Sequence, residues 1–186
     1  ERTIKYGHVA PPFAGGAIGA EAFAKYVNEK AKGEIVIKVF PFGQLGPERS
    51  MAEQVQAGTL HMASITTAVL SNFVPEVAVM DFPFVFPNRK AAYGVIDDPE
   101  FQKRIWGYLP AKGFVGIGWM ENEFRDINTT KKVIRTPGDL KGLKIRVMKS
   151  PVFLDTFKQL GASPVGIPFP EIYGALQQGV IDGQEN

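Results

Sequence analysis

The segment Leu140-Lys-Gly-Leu-Lys-Ile-Arg146-Val-Met-Lys-Ser150-Pro151 says more about the fold than any other part of the chain. Residues 143–148 form a short apolar run that predicts a strand, and Ser150-Pro151 predicts the start of a helix directly after it. Arg146 lies near the end of this strand, where a planar guanidinium can hold a carboxylate through two parallel hydrogen bonds. An arginine in a strand is more often a surface cation or an ion-pair partner, so this segment alone leaves its role open.

Strands and helices alternate in the same order at both ends of the chain. The first third predicts strand 4–9, helix 17–32, strand 35–40, a helix near Pro47 and strand 60–65, and the last third predicts strand 143–148, a helix from Pro151, strand 163–167, a helix from Pro170 and a strand from Val180. This alternation predicts parallel sheets joined by right-handed crossovers. Two such groups predict an α/β protein with two lobes, residues 1–122 and 123–186, and a cleft between the lobes as the default ligand site.

Apolar periodicity predicts which faces of these elements are buried. One face of the predicted helix 17–32 is apolar and consists of Ile18, Ala22, Phe23, Tyr26 and Val27. Between the two thirds, Asp98-Pro99 predicts a capped helix. The alternation of Phe82, Phe84 and Phe86 is typical of a buried strand, and residues 114–120 predict a further, glycine-dotted strand.

The composition is that of a soluble globular protein, because 45% apolar and 22% charged residues suffice for a core with a solvated surface. A net charge of +2, spread along the chain, argues against a nucleic-acid partner, and no apolar run is long enough to cross a bilayer. Cysteine is absent, which excludes disulfides and thiol catalysis. The chain begins at Glu1 without an initiator Met and stops at Asn186 early in a strand. We therefore expect a mature secreted protein whose second lobe is incomplete, truncated at its C-terminus.

The residues that would carry catalysis are missing or isolated. His8 and His61 lie far apart at strand-like positions, which is more typical of structural histidines than of a metal site or a catalytic base. Gly116 and Gly118 lack the third glycine of a dinucleotide-binding turn, and the chain has no phosphate-binding loop, zinc-protease motif or nucleophile elbow. We therefore expect no cofactor and no metal, and a binding protein rather than an enzyme.

Polar residues near the predicted strand ends favour an anion as the ligand. Arg125 and Arg146 lie at strand ends in the second lobe, and Gln184 and Asn186 end its third strand. The helices that are predicted to begin at Pro47 and Pro151 add backbone N–H groups at their N-termini, and such groups can bind anions.

Five segments resemble those of the solute-binding proteins of tripartite ATP-independent periplasmic (TRAP) transporters, the DctP-like family. They are Phe40-Pro-Phe-Gly-Gln-Leu-Gly-Pro-Glu-Arg49, Leu70-Ser-Asn-Phe-Val-Pro-Glu76, Phe124-Arg-Asp-Ile127, Asp139-Leu-Lys-Gly-Leu-Lys-Ile-Arg-Val147 and Gly179-Val-Ile-Asp-Gly-Gln-Glu-Asn186. The resemblance spans the whole chain, and it is most specific in the last two segments.

The resemblance implies a two-lobed, type II-like periplasmic binding protein that closes on an organic anion and delivers it to the membrane subunits of a TRAP transporter. Arg146 matches the arginine that binds the substrate carboxylate in most of the family, and Arg125 matches a second arginine that often contacts the anion. Asn186 matches an asparagine that hydrogen-bonds the ligand. Glu48 matches a polar position of the first lobe that often faces it, and Asn72 is expected to contribute from the same lobe. A periplasmic monomer is expected, without insertion into the membrane.

Departures from the family pattern bear on the identity of the ligand. Thr66-Thr67 stands where sialic-acid binders carry an acidic residue, so an amine-bearing sugar fits less well. Phe13 and Trp119 are expected to stack on a sugar or an aromatic ring. We therefore expect a sugar acid such as a uronate, with a C4-dicarboxylate or an aromatic acid as the alternative.

Two other kinds of protein use similar lobes. An enzyme on this fold would need a nucleophile or a base with a partner, and the sequence offers no convincing set. An effector-sensing domain of a transcription regulator would need a helix-turn-helix upstream, whereas this chain begins at the first predicted strand.

Overall fold

The computed structural model describes residues 2–130 and 132–186, and it has the predicted mixture of helices and strands. The strands are β1 (Arg2–Gly7), β2 (Ile35–Phe40), β3 (Met62–Ala63), β4 (Ile127–Thr129), β5 (Lys144–Val147), β6 (Ser163–Gly166) and β7 (Gly183–Glu185). The α-helices are α1 (Gly15–Lys30), α2 (Glu48–Gln56), α3 (Thr67–Leu70), α4 (Arg89–Ile96), α5 (Pro99–Gly107), α6 (Pro151–Gln159) and α7 (Ile172–Gln177). Short 3-10 helices cover Pro75–Asp81, Pro110–Lys112, Pro137–Leu140 and Phe169–Glu171.

The chain forms two compact units, and their composition differs from the predicted division. Unit 1 contains the described residues of Glu1–Thr66 and Phe86–Asn122, and unit 2 contains those of Thr67–Val85 and Glu123–Asn186. The assignment of residues 67–85 to the first lobe is therefore wrong. The reason is local packing: the 3-10 helix Pro75–Asp81 packs against α6, and the Asn72 side chain donates a hydrogen bond to the carbonyl oxygen of Lys149 at 2.9 Å.

Unit 1 is built on a parallel three-stranded sheet in the order β2-β1-β3, with α1 packed on it. The inward face of α1 matches the predicted one only in part, because Phe23 and Val27 pack against the core but are not its innermost residues. It presents Ala17, Ala20 and Ala24, whereas Ile18 and Tyr26 are exposed. Three alanines let the helix approach the sheet closely, so the small residues lie innermost and the larger apolar residues lie beside or away from the contact.

Two strands predicted between the first and last thirds of the chain, at residues 82–86 and 114–120, do not form. Phe82 and Phe84 are exposed, and Phe84 has a φ of 60°, which an extended strand cannot contain. Residues 114–120 are not paired in a sheet of the described chain. There Gly116 lies against the Trp106 ring so closely that a Cβ atom would come within 2.8 Å of it. The glycine is thus explained by contact with an indole rather than by a strand.

Unit 2 is built on a four-stranded sheet in the order β4-β7-β5-β6. Its core contains Leu140, Ile145, Val147, Phe157 and Ala162. Strands β5, β6 and β7 are parallel, so their carboxyl ends meet at one edge, and β4 runs antiparallel to β7. The residues that precede β4 therefore lie at the same edge as the residues that follow β5 and β7.

We expect Gly183→Ala to weaken this sheet, because Gly183 lies where β7 contacts β4 most closely. A Cβ atom on Gly183 would overlap the carbonyl oxygen of Asn128 and come within 2.8 Å of the Thr129 Cγ2 atom. Forced overlap of this kind typically costs about 1–3 kcal/mol of unfolding free energy, measurable as a lower urea midpoint. Gly174→Ala in α7 is the control, since nothing lies within 4 Å of its added Cβ. A Gly183→Ala midpoint equal to that of the control would contradict this account.

Candidate functional site

The candidate site lies at the edge of the unit 2 sheet where β5 and β7 end. Arg146 is in β5, directly opposite Gln184 of β7, and Glu185 is the last residue of β7. Arg125 precedes β4 by two residues, and the antiparallel course of β4 brings it to this edge. The helix α6 begins just beyond the edge, after Ser150. Two cations, one carboxylate and a helix N-terminus thus meet where ligands of open α/β sheets usually bind.

Arg146 is buried, with only 3% of its surface exposed. Its Nε atom donates to the carbonyl oxygen of Ile167 at 2.8 Å, and Nη1 donates to the carbonyl oxygen of Glu185 at 3.4 Å. These bonds to the chain beyond β6 and at the end of β7 orient the guanidinium plane. A buried arginine with a set orientation does not fit the surface cation that the sequence left open as an alternative.

Arg125 forms an ion pair with Glu185, sixty residues later in the chain. Its Nε atom donates to the Glu185 carboxylate, and its Nη2 atom donates to the Glu185 carbonyl oxygen at 3.0 Å. The guanidinium also lies over the Phe153 ring, 5.4 Å from its centroid. Glu185 is only 2% exposed, and its carboxylate accepts a further hydrogen bond from the backbone N–H of Met148 at 3.2 Å. Arg125 is thus held by an internal acid, and its predicted role as a ligand contact stays a prediction.

The carbonyl oxygen of Glu185 accepts from both arginines, which places the two guanidinium groups side by side. Arg125 reaches it through Nη2 at 3.0 Å and Arg146 through Nη1 at 3.4 Å. Two positive charges at this separation repel each other, and one nearby carboxylate offsets only part of that repulsion. We call Arg125 and Arg146 the arginine pair.

Several buried polar atoms near the arginine pair have no hydrogen-bond partner within the described residues. They include the Ser150 Oγ atom at the start of α6, the Gln184 Oε1 atom beside Arg146, and the Asp81 Oδ2 atom. A buried polar group without a partner costs free energy, and such groups are rare unless water or a ligand satisfies them. Two of these residues, Ser150 and Gln184, lie at the edge of the sheet where Arg146 lies, which is typical of a binding site.

Asp81 ends the 3-10 helix Pro75–Asp81, and burial raises the pKa of its carboxyl to about 6. Its Oδ1 atom accepts a 2.6 Å hydrogen bond from the Thr67 hydroxyl. This bond and the positive charge of Arg125 lower the pKa, while the charge of Glu185 raises it, but burial outweighs both lowering effects. Asp81 is therefore electrostatically linked to Arg125 and Glu185.

The other two predicted site residues of unit 2 are held by the backbone. Asn186 is exposed and extends the β4–β7 pairing, with reciprocal backbone hydrogen bonds to Asp126 at 2.9 and 3.0 Å. Asn72 was expected on the first lobe, which is wrong, because it lies in unit 2. Its amide nitrogen donates to the carbonyl oxygens of Ala68, Val69 and Lys149, so that end of the side chain stabilises local structure.

Four predicted site residues lie in unit 1. Glu48 opens α2, and its carboxylate accepts from the Thr66 N–H at 2.8 Å and from the Thr66 hydroxyl at 3.2 Å. Glu48 and Thr66 thus link α2 to the segment after β3. Their role as ligand contacts stays a prediction.

The two aromatic residues expected to stack on a ligand ring differ in their surroundings. Phe13 is 84% exposed in the segment between β1 and α1. Trp119 stacks on Trp106, with ring centroids 6.3 Å apart and planes 26° apart. One face of the Trp119 indole is thus covered by protein, which leaves at most the other face for a ligand.

The structural role that the sequence indicated for the two histidines stays a prediction. His61 accepts a hydrogen bond from the backbone N–H of Lys5 at 3.3 Å through Nδ1. His8 follows β1 and is buried, and this burial lowers the pKa of its ring against the opposing charge of Glu21. Within residues 2–130 and 132–186, no group of three or more potential metal ligands is arranged to hold an ion. No helix in that part of the chain has the length and apolar character that a membrane crossing requires.

Sequence reasoning missed Glu185, Ser150 and Asp81 as members of this site. The sequence assigned Glu185 no role in anion binding, and the carboxylate of nearby Asp182 accepts from the backbone N–H of Lys144 at 2.9 Å. The signal available for Glu185 was its position at the end of a strand neighbouring that of Arg146. Asp81 gave no such signal, because it lies outside the strands and sixty-five residues before Arg146.

Comparison with known proteins identifies the family. The family model for bacterial extracellular solute-binding protein, family 7 (DctP), matches residues 6–186. Among curated relatives, the 2,3-diketo-L-gulonate-binding periplasmic protein YiaO of Escherichia coli is 31% identical over 185 residues, which cover 100% of this chain and 56% of that protein. The chain thus spans little more than half of this relative.

Two solved structures have closely similar backbones. A TRAP periplasmic solute-binding protein from Anaerococcus prevotii with bound D-glucuronate is 34% identical with a TM-score of 0.96, over 100% of this chain and 60% of that one. A TRAP periplasmic solute-binding protein from Sulfurospirillum deleyianum with bound succinate is 37% identical with a TM-score of 0.95, over the same shares. These matches confirm the predicted two-lobed α/β fold class and the prediction of a binding protein rather than an enzyme. The chain therefore belongs to the DctP family, the bacterial extracellular solute-binding proteins of family 7.

Proposed function

We propose that this protein binds an organic-acid anion in the periplasm, with the ligand carboxylate held by the arginine pair, and delivers it to a TRAP transporter. The observation that carries this proposal is the convergence of Arg125 and Arg146 on the carbonyl oxygen of Glu185. Two guanidinium groups at one point favour a ligand with a delocalised negative charge.

The surroundings of the arginine pair strengthen its attraction for an anion. Arg146 is buried, and charges interact more strongly where water is excluded. The backbone N–H groups at the start of α6 lie at the same edge of the sheet and carry partial positive charge. The Arg125 Nη1 atom makes no hydrogen bond with the described residues, so it has donors for a ligand carboxylate even while Nε is paired with Glu185.

The unsatisfied polar atoms favour a hydroxylated acid. The Gln184 Oε1 atom is a buried acceptor without a partner, and the Ser150 hydroxyl is buried without one as well. Ligand hydroxyl groups can donate to the first and accept from or donate to the second. Two of the three relatives named above carry sugar acids in their names, 2,3-diketo-L-gulonate and D-glucuronate, so we propose a sugar acid here. A C4-dicarboxylate is the second candidate, because a solved relative holds succinate.

A thermal-shift panel tests this proposal. D-glucuronate, D-galacturonate, D-galactonate and succinate are added to the purified protein, with D-glucose as the uncharged control. A ligand that binds only the folded protein stabilises it by about 2.7 kcal/mol at a hundredfold excess over Kd, which raises Tm by roughly 5–10 °C for a chain of this size. We expect the largest shift from a sugar acid, a smaller one from succinate and none from glucose. Equal shifts with glucose and the acids, or no shift with any acid, would overturn the proposal.

A further inference from the structure

Four ionisable groups are linked at the candidate site. Arg125 pairs with Glu185, Arg146 shares the Glu185 carbonyl oxygen, and Asp81 interacts electrostatically with both Arg125 and Glu185. With both carboxyls ionised, the two positive and two negative charges of this cluster sum to zero. A bound organic anion then adds one uncompensated negative charge to a partly dehydrated cluster.

Asp81 is the member of the cluster best placed to absorb this excess charge. Its Oδ1 atom is held by the Thr67 hydroxyl at 2.6 Å, while its Oδ2 atom is buried and without a hydrogen-bond partner among the described residues. A proton on Oδ2 would neutralise the carboxyl without breaking the bond to Thr67. Glu185 is less suited, since its two carboxylate oxygens accept from Arg125 and from the N–H of Met148.

We propose that Asp81 takes up a proton when the arginine pair binds an organic anion, so that the protein binds its ligand more tightly as the pH falls. This inference rests on the proposed function, because it requires an anion at the arginine pair. By binding or releasing a proton, Asp81 would set how much negative charge on a ligand the site accepts.

The direction of the pH effect follows from two pKa values of Asp81, that in the ligand-free protein and that in the complex. Burial already raises the pKa of Asp81 to about 6 in the ligand-free protein. An added negative charge nearby raises it further, because the ionised carboxyl and the ligand repel each other. Between the two values the complex therefore holds more protons than the free protein, and Kd decreases as pH falls through that range. Each unit of difference between the two values strengthens binding by about tenfold across the whole range.

Few other charges act on Asp81. Its own 3-10 helix carries Glu76, and α6, which packs against that helix, carries Asp155 and Lys158, all three exposed. The charged groups that shift the pKa of Asp81 are Arg125 and Glu185. Both histidines lie in unit 1, and an Asp81 variant retains them. The variant therefore separates a proton bound at Asp81 from one bound at a histidine.

Isothermal titration calorimetry measures the proton directly. The probe is D-glucuronate, or the acid that gives the largest thermal shift, titrated at about pH 7 in phosphate and in Tris, whose ionisation enthalpies differ. We expect uptake of a substantial fraction of one proton per ligand bound by the wild-type protein. No uptake, or release of protons, would overturn the proposal while the binding heat itself still supported the proposed function. This measurement needs no variant.

Asp81→Asn assigns the proton to its site, because asparagine keeps the oxygen that accepts from Thr67 and cannot titrate. Wild-type Kd should fall several-fold to tenfold from about pH 8 to about pH 6. The variant should show little change across that range and take up no proton. Asp155→Asn, at an exposed carboxylate of the same unit, should behave as wild type. Wild-type pH dependence in Asp81→Asn would overturn the assignment, and absence of anion binding in all three proteins would overturn the proposed function and this proposal together.

Discussion

Arg146→Ala is expected to weaken binding of the cognate acid by about 2–5 kcal/mol, which is roughly a 30-fold to several-thousand-fold increase in Kd. The side chain is 3% exposed, so a carboxylate bound there is removed from water and depends on the guanidinium for its partners. The substitution removes a charge-assisted pair and leaves the ligand anion with Arg125 alone. Isothermal titration calorimetry with the acid that gives the largest thermal shift measures the change.

The control must separate lost binding from lost structure, since Arg146 also bonds the carbonyl oxygens of Ile167 and Glu185. Arg146→Lys keeps the positive charge and loses the two-pronged geometry, so we expect an intermediate Kd. Arg135→Ala removes an exposed arginine of the same unit and should leave Kd unchanged. Wild-type affinity in a folded Arg146→Ala protein would refute the assignment of the carboxylate site.

Glu185→Ala is expected to have the largest effect on stability, a loss of about 3–5 kcal/mol of unfolding free energy. The substitution leaves the Arg125 guanidinium without its carboxylate and deprives the Met148 N–H of its acceptor. Both donors are largely shielded from water. There, leaving one group unpaired lowers the free energy of unfolding by more than the intact pair raises it. Urea unfolding followed by circular dichroism measures the change through the midpoint.

Glu185→Gln is the matched variant, because glutamine keeps the size of the side chain and one acceptor oxygen. We expect its loss of stability to be smaller than that of Glu185→Ala and larger than that of Glu53→Gln. Glu53 forms an exposed ion pair with Arg49 on α2, and such pairs contribute little. If Glu185→Ala and Glu53→Gln unfolded at the same urea concentration, the buried pair would not stabilise the sheet edge.

The alternation of strands and helices could be predicted because it depends on local sequence. Strand β2 occupies the predicted residues 35–40, and α5 begins after Asp98, whose side chain accepts a 2.8 Å hydrogen bond from the Phe101 N–H. Glycines after the helices also marked real ends, as at Gly33 and Gly161, which have positive φ. These signals act over a few residues, so one chain suffices to find them.

What could not be predicted depends on partners distant in sequence. The predicted face of α1 was only partly right, since Phe23 and Val27 do pack on the core. Periodicity ranks large apolar residues above alanine, whereas the sheet selects Ala20 and Ala24 for close approach. The segment around Arg146 and the family resemblance predicted it as a ligand contact, and the structure places it at the candidate site, where that role stays a prediction. The ion pair of Arg125 with Glu185 and the burial of Asp81 could not be predicted, because each requires the register of β7 or the packing of residues 67–85 on unit 2.

The strand order β4-β7-β5-β6 sets the time at which the second sheet can assemble during synthesis. β7 is the last of the seven strands to leave the ribosome, yet it lies between β4 and β5, which have no direct pairing with each other. Until it inserts, β4 has no paired strand among the described residues, and the two arginines lack their common carbonyl oxygen. Closure of long sequence separations is slow, so between the synthesis of Arg146 and the pairing of β7 the nascent chain carries exposed strand edges and two cations without their shared acceptor.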